Sequence, residues 1–174
     1  MAFQNRPIAV PKKGKASSNQ TVASALTRGQ PADVNLSTGL LLPRVTGVSS
    51  GNHREILSSI RKGFNFGCIP LLEQELHSNR KELSSILSIP TSTLARRQKA
   101  GTLNTDESDR VARLARLKDS AVAMMQGDNE AAINWLRTPL EIFDNETPIQ
   151  HASTEMGARD VEDLIGRIRH GVFS

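Results

Sequence analysis

The chain has no tyrosine, one tryptophan, five phenylalanines and a single cysteine in 174 residues. With so few rings, a core must be assembled from Leu, Ile, Val and Ala, which favours helices packed on helices. Aromatic platforms for single-stranded nucleic acid are not expected. The lone Cys68 excludes an intramolecular disulfide and any cysteine-based zinc site. No apolar run approaches the ~20 residues of a membrane span, and the opening Met1-Ala-Phe-Gln-Asn-Arg-Pro7 lacks the apolar centre of a secretory leader. A cytoplasmic location without membrane association is therefore the expectation. Alternating strand pairs, internal repeats and a glycine-rich phosphate loop are all missing. His53, His77, His151 and His170 are dispersed without metal-ligand spacing. Glu73 and Glu75, two residues apart, face different ways on a helix. No catalytic residue, cofactor or metal is expected.

What is present is a charge asymmetry. Residues 1–50 carry six Lys/Arg against one Asp, residues 51–101 eight against four, and residues 102–174 eight against thirteen, within a net charge of +4. A basic front and an acidic back suggest two surfaces with different partners, and the phosphate backbone suits the first. Residues 1–38, rich in Ser, Asn, Gln, Gly and Pro around Pro11-Lys-Lys-Gly-Lys15, are expected to be a disordered tail. Residues 39–48 are expected to be a short extended segment, limited by Pro43.

Helical signals begin at Asn52, a candidate N-cap, with Ile56, Leu57 and Ile60 as an apolar stripe and Gly63 as a stop. A second helix is predicted from about Ile69 to His77. A third is capped by Ser78 and holds Leu83, Ile86 and Leu87. After Pro90 comes a fourth, from Ser92 to Lys99, capped by Thr91. Asn104 and Glu107 form a capping-box pattern ahead of a longer helix with Val111, Leu114, Leu117, Ala121 and Met125 on one face. Asp128 caps a helix in which Ala132, Trp135 and Leu136 face inward until Thr138-Pro139. Residues 140–155 look irregular, with one turn after Pro148, and a last helix spans about 157–169 with Ala158, Val161, Ile165 and Ile168 as its stripe.

The third and fourth helices have the spacing of a helix-turn-helix, in which a short turn lets the second helix project its N-terminus into the major groove of a duplex. Thr91, Ser92, Thr93, Arg96, Arg97 and Lys99 would face outward as DNA-binding residues, since Arg bonds guanine edges and Ser and Thr bond bases or phosphates. Spacing alone leaves two readings open: a DNA-binding unit, or a helical pair with a solvated basic face.

The back of the chain is more specific as a combination. It reads Trp135-Leu-Arg-Thr-Pro139, then Thr147-Pro148, then Gly157-Ala158, Val161, Leu164, Ile168 and Gly171. This resembles the toxin-binding domain of the Xre/MbcA/ParS antitoxins. Glu107-Ser-Asp-Arg110 followed by Arg113-Leu-Ala115 also resembles the linker helix of Xre-type repressors, extending the likeness from about residue 52 to 173. The resemblance implies an all-α helical bundle: a helix-turn-helix domain over 51–101, and a linker helix with a small toxin-binding domain over 102–174. Residues 1–50 lie outside it and are expected, from their composition, to be a disordered or extended basic tail. The resemblance further implies an antitoxin that sterically blocks the active site of a RES-domain toxin consuming NAD and represses its own operon through operator DNA, as a homodimer within a larger toxin–antitoxin complex. The toxin-binding residues implied are Arg167, Arg169, His170, Gly171, Val172 and Phe173. Trp135, Pro139, Pro148 and Gly157 are better read as fold determinants. Leu140-Glu-Ile-Phe-Asp144 departs from the Asn- and Gly-containing turn usual in that family, and Phe143 there is unexpected. The alternative is a helix-turn-helix repressor without a toxin, whose C-terminal domain serves oligomerisation.

Overall fold

A computed structural model describes residues 40–48 and 52–171. The expectations for the tail over 1–38, and for Val172 and Phe173, lie outside the described residues. Among the described residues there are nine α-helices, one 3-10 turn and no strand beyond an isolated antiparallel bridge between Asn65 and Thr102. No helix among them is long and apolar enough to cross a membrane.

The axis of the fold is α6, Thr105–Met124. Its capping box is present as the sequence suggests: the Asn104 side chain accepts from Glu107 N–H at 2.8 Å, and Glu107 accepts from Asn104 N–H at 2.8 Å. Val111, Leu114, Leu117 and Ala121 are buried along its length, at the three- and four-residue spacings of one helix face. Polar side chains on the same helix are buried with partners. Ser108 Oγ accepts from Phe64 N–H at 2.9 Å and donates to the Asn104 carbonyl at 2.7 Å. Against α6 pack α1 (Leu41–Thr46), α2 (His53–Lys62), α7 (Asn129–Leu136) and α9 (Glu155–His170). The helices α3 (Cys68–Glu75), α4 (Arg80–Ile86) and α5 (Thr91–Ala100) complete the front, and α8 (Pro148–His151) supports the back. The described helices all fall in one compact unit.

The structure corrects the extended segment expected over 39–48: Leu41–Thr46 within it form the helix α1. Pro43 is its third residue, where the N–H would lack an intrahelical partner in any case. The cap comes from across the fold: Asp119 on α6 accepts Leu41 N–H at 2.6 Å and Leu42 N–H at 2.8 Å. Burial pushes the Asp119 carboxyl up from its ordinary range, against the two N–H bonds that favour its charge. Beside it, Glu75 bridges Arg44 of α1 and the buried Lys118 of α6. Burial opposes the Glu75 charge, but those two cations outweigh it and hold the carboxyl below its usual value.

Smaller corrections have local causes. Leu57 points outward, because α2 rests on α6 by one edge that buries Ile60 and half-buries Ile56. Asn79, not Ser78, caps α4 by accepting Glu82 N–H at 3.0 Å. Pro90 takes the N-cap position of α5, leaving Thr91 as a first-turn residue without a side-chain capping bond. Trp135 is half-buried against the core, while Ile133 takes the buried position beside Ala132 and Leu136. Ile168 is likewise half-buried at the end of the stripe formed by Ala158, Val161 and Ile165.

Candidate functional site

The chain offers two candidate surfaces. The first is built on α4 and α5. Leu83, Leu87, Ile89 and Leu94 are buried between and beneath them. The connecting turn passes through Ser88 at φ +51°, a left-handed conformation that a residue with a Cβ rarely adopts. Three bonds hold it. Ile89 N–H donates to the Ser84 carbonyl at 2.9 Å, Ser84 Oγ donates to the Ile89 carbonyl at 2.6 Å, and Arg110 Nη1 from α6 donates to the Ser88 carbonyl at 2.7 Å. Arg110 is thus a positioning residue for the turn; its separation of over twenty residues from the turn hid that role in the sequence.

On α5, Thr91, Ser92, Arg96 and Lys99 are exposed and Thr93 is half-buried. Arg97 has a different setting. Its Nε donates to both carboxylate oxygens of the buried Glu107, at 3.0 and 2.7 Å. That bond joins the end of α5 to the capping box of α6, so Arg97 acts first as a brace for the helix-turn-helix. Five of the six sequence-predicted DNA-binding residues therefore share the outer side of one helix, and the sixth is tied at its root.

The second surface lies at the back. Helix α7 ends at Arg137, whose guanidinium reaches the Leu76 carbonyl at 3.2 Å and Glu82 at 2.9 Å. Thr138 Oγ donates to the Asn134 carbonyl at 2.6 Å, and Pro139 follows. The departure at 140–144 forms a 3-10 turn, Glu141–Phe143, closed by Asp144 and Asn145 at φ +53° and +64°. Asp and Asn tolerate this region better than other side chains, because a short polar group can bond locally. Phe143 is buried by the turn and stacks on His151, with ring centroids 4.4 Å apart. Thr147 caps α8 in a capping box with Gln150, with Pro148 in the first turn.

His151 joins three elements. Its Nδ1 lies 3.0 Å from Glu146 and its Nε2 3.3 Å from Asp160 on α9. Burial disfavours its charge, but the bonds and negative charge of Glu146 and Asp160 outweigh that and raise its pKa above the ordinary 6.5. Its backbone decides the position of α9. A Cβ on Gly157 would stand 1.9 Å from the His151 carbonyl oxygen, so α8 and α9 approach as closely as they do because residue 157 has no side chain.

A groove of about 630 Å³ opens here, lined by Ile142, Phe143, His151, Asp160, Asp163 and Arg167. Arg167 therefore stands in the groove wall. Arg169 and His170 are exposed on the last turn of α9, and Gly171 ends it at φ +66° with its N–H on the Ile168 carbonyl. The structure brings these four predicted residues to one end of one helix. The groove residues from the 3-10 turn and α8 were not singled out in sequence, although the unusual Phe143 marked the place.

Among the described residues no group of three or more His, Cys, Asp and Glu could hold a metal ion. Cys68 is buried, and burial pushes its thiol up to about 12.

Comparison with known proteins bears on both surfaces. Residues 69–116 match the antitoxin Xre-like helix-turn-helix domain, and residues 120–171 match the antitoxin Xre/MbcA/ParS C-terminal toxin-binding domain. An antitoxin Xre from Yersinia enterocolitica is 35% identical over 132 residues, covering 75% of this chain and 89% of that protein. The chain belongs to the Xre/MbcA/ParS antitoxin family. An antitoxin Xre from Photorhabdus laumondii is 30% identical over the same shares of both chains, and one from Pseudomonas putida is 37% identical over 84 residues, 48% of this chain and 52% of that one. In this antitoxin the helix-turn-helix match takes in α3 to α5 and the front of α6, and the toxin-binding match takes in the end of α6 through α9. Helices α1 and α2 lie outside both.

Proposed function

We propose that this antitoxin neutralises a RES-type, NAD-consuming toxin by seating the end of α9 and the residues after it over the toxin's nucleotide pocket. Inhibition is steric: the antitoxin occupies the path to the substrate and performs no chemistry. The observation that carries the reading is the last turn of α9. It presents Arg167, Arg169 and His170 together at one end of the segment that matches the family's toxin-binding domain. Gly171, Val172 and Phe173 continue from that turn. We further propose that Thr91, Ser92, Thr93, Arg96 and Lys99 read operator DNA in the major groove, with Arg97 bracing the helix that carries them, so that the antitoxin represses its own operon. On this reading residues 51–101 are the DNA-facing module and 102–174 the toxin-facing one. A homodimer within the larger complex follows from the half-site geometry of small helix-turn-helix units. The setting is the cytoplasm, where both NAD and the operator are found.

The test is co-expression with the product of the adjacent gene, reading growth and cellular NAD. Removing Val172–Ser174, which spares the Gly171 cap, should abolish protection while leaving thermal stability and DNA binding unchanged. Full protection by the truncated chain overturns the plug.

A further inference from the structure

Helix α2 ends beside the C-terminus of α5, and the backbone shows how. After Lys62 the chain turns at Gly63, φ +85°, where a Cβ would stand 2.2 Å from the Leu103 carbonyl oxygen. It then runs antiparallel to the segment that leaves α5. Leu103 N–H donates to the Phe64 carbonyl at 2.9 Å, Phe66 N–H donates to the Gly101 carbonyl at 2.9 Å, and Asn65 bridges Thr102. One turn earlier, Thr105 Oγ donates to the Arg61 carbonyl at 3.3 Å. The last turn of α2 is therefore locked to the stretch that follows Lys99.

That last turn carries Arg61 and Lys62, both exposed, as are Arg96 and Lys99 on α5. Among the described residues none of these four has an ion-pair partner. The carboxylates of the junction are Glu107, engaged by Arg97 and by the Asn104 N–H, and Asp106, exposed in the first turn of α6. The junction thus gathers four cations without ion-pair partners, against the single exposed carboxylate of Asp106, on two elements that the backbone pairing fixes relative to each other. Basic residues also suit the C-terminus of a helix, where they complement the macrodipole. That role needs no phosphate, and it affects the stability of α2 rather than binding.

We propose that Arg61 and Lys62 are phosphate contacts: α2 extends the DNA-facing surface past the helix-turn-helix and clamps the duplex backbone beside the recognition helix. This rests on the DNA-binding reading above. Contacts of this kind carry no sequence information, so they add affinity equally to every duplex and release counterions in doing so.

The experiment is a salt titration of binding by the full chain, read by fluorescence anisotropy. Two duplexes of equal length are used, one from the DNA directly upstream of its coding sequence and one scrambled. R61Q/K62Q, which keeps helix propensity, should flatten the slope of log affinity against log salt by about 1.8 for two lost contacts. It should weaken both duplexes by the same factor and leave the thermal midpoint unchanged. R96A/K99A should instead reduce discrimination between the two. If the wild type binds and R61Q/K62Q keeps its slope, the clamp is wrong and the helix-turn-helix reading stands. If the wild type binds neither duplex, both fall. A lowered midpoint with the slope intact would assign the pair to the helix dipole and overturn the proposal.

Discussion

Two glycines on α9 should respond oppositely to the same substitution. Gly157 has a helical backbone, so a methyl there meets no conformational obstacle of its own, and replacing Gly by Ala in a helix ordinarily gains about 1 kcal/mol. The obstacle is tertiary. The added Cβ would lie 1.9 Å from the His151 carbonyl oxygen and 2.8 Å from its carbon, both backbone atoms that no rotamer change can move. Relief requires α8 and α9 to separate. That also pulls His151 from Asp160. Overpacking of this kind costs roughly 1–3 kcal/mol, occasionally more, and here the contact is with backbone, so the upper part of that range applies. Set against the propensity gain, G157A should destabilise by about 2 kcal/mol, a drop of about 4–8 °C in midpoint for a domain of this size. Gly166, nine residues on, has nothing within 4 Å of its would-be Cβ, so G166A should raise the midpoint by about 2–4 °C. Thermal melts followed by far-ultraviolet circular dichroism decide it. The reasoning fails if G157A melts at or above the wild type, or if both variants shift the same way.

Two further perturbations address the polar contacts that hold the ends of the fold. D119N leaves one acceptor where two backbone N–H groups now bond; it should cost about 1–2 kcal/mol and speed amide exchange at Leu41 and Leu42, whereas exchange at wild-type rates would show that α1 does not depend on that cap. His151 should make stability pH-dependent: its folded pKa is raised above 6.5 by Glu146 and Asp160, so its contribution is full below 6.5 and is lost as pH rises through the folded value. Denaturant titrations of the wild type and E146Q/D160N across that window should show the stability difference between them shrinking as pH rises, and a constant difference would count against the assignment.

What could be read from the residues was whatever depends on neighbours in the chain. Asn52, Asn104 and Asp128 cap the helices they precede because an N-cap bond spans two or three residues. The stripe on α6 follows from the helix period alone. The resemblance carried by Trp135 to Gly171 led to the family because its spacing reflects local turns: a Thr-Pro stop, a capping box at Thr147, and a glycine at the start of α9. What was hidden depends on long-range pairing. The α1 segment looks like a Pro-containing extended stretch until Asp119, more than seventy residues away, supplies its cap. Arg97 looks like one more cation on a reading helix until Glu107 folds back beneath it. The groove could not be listed in advance because its walls come from the 3-10 turn, α8 and α9, brought together by the missing side chain of Gly157.

The same long-range pairs determine how the two surfaces relate. Three arginines at intervals of three on α6 face two directions of business: Arg110 holds the turn of the helix-turn-helix, while Arg113 reaches Glu155 at 2.6 Å and Arg116 reaches Glu162 at 2.9 Å on α9. Arg137 adds a strut from α7 back to α4. Exposed ion pairs contribute little singly, but three ion pairs and the Arg110 hydrogen bond together tie the two surfaces to each other, three of the four contacts through α6, beside a continuous buried core. Tilting α9 would break the Arg113 and Arg116 pairs and uncover Val161 and Ile165, and apolar burial of that kind is worth about 1.5–3 kcal/mol per side chain. On the proposed function, a partner gripping the end of α9 would therefore hold α5 at a set orientation. On that same reading, coupling between the two surfaces would arise by positioning whole antitoxin copies relative to one another, through effective concentration on DNA, and would require no internal rearrangement of the chain.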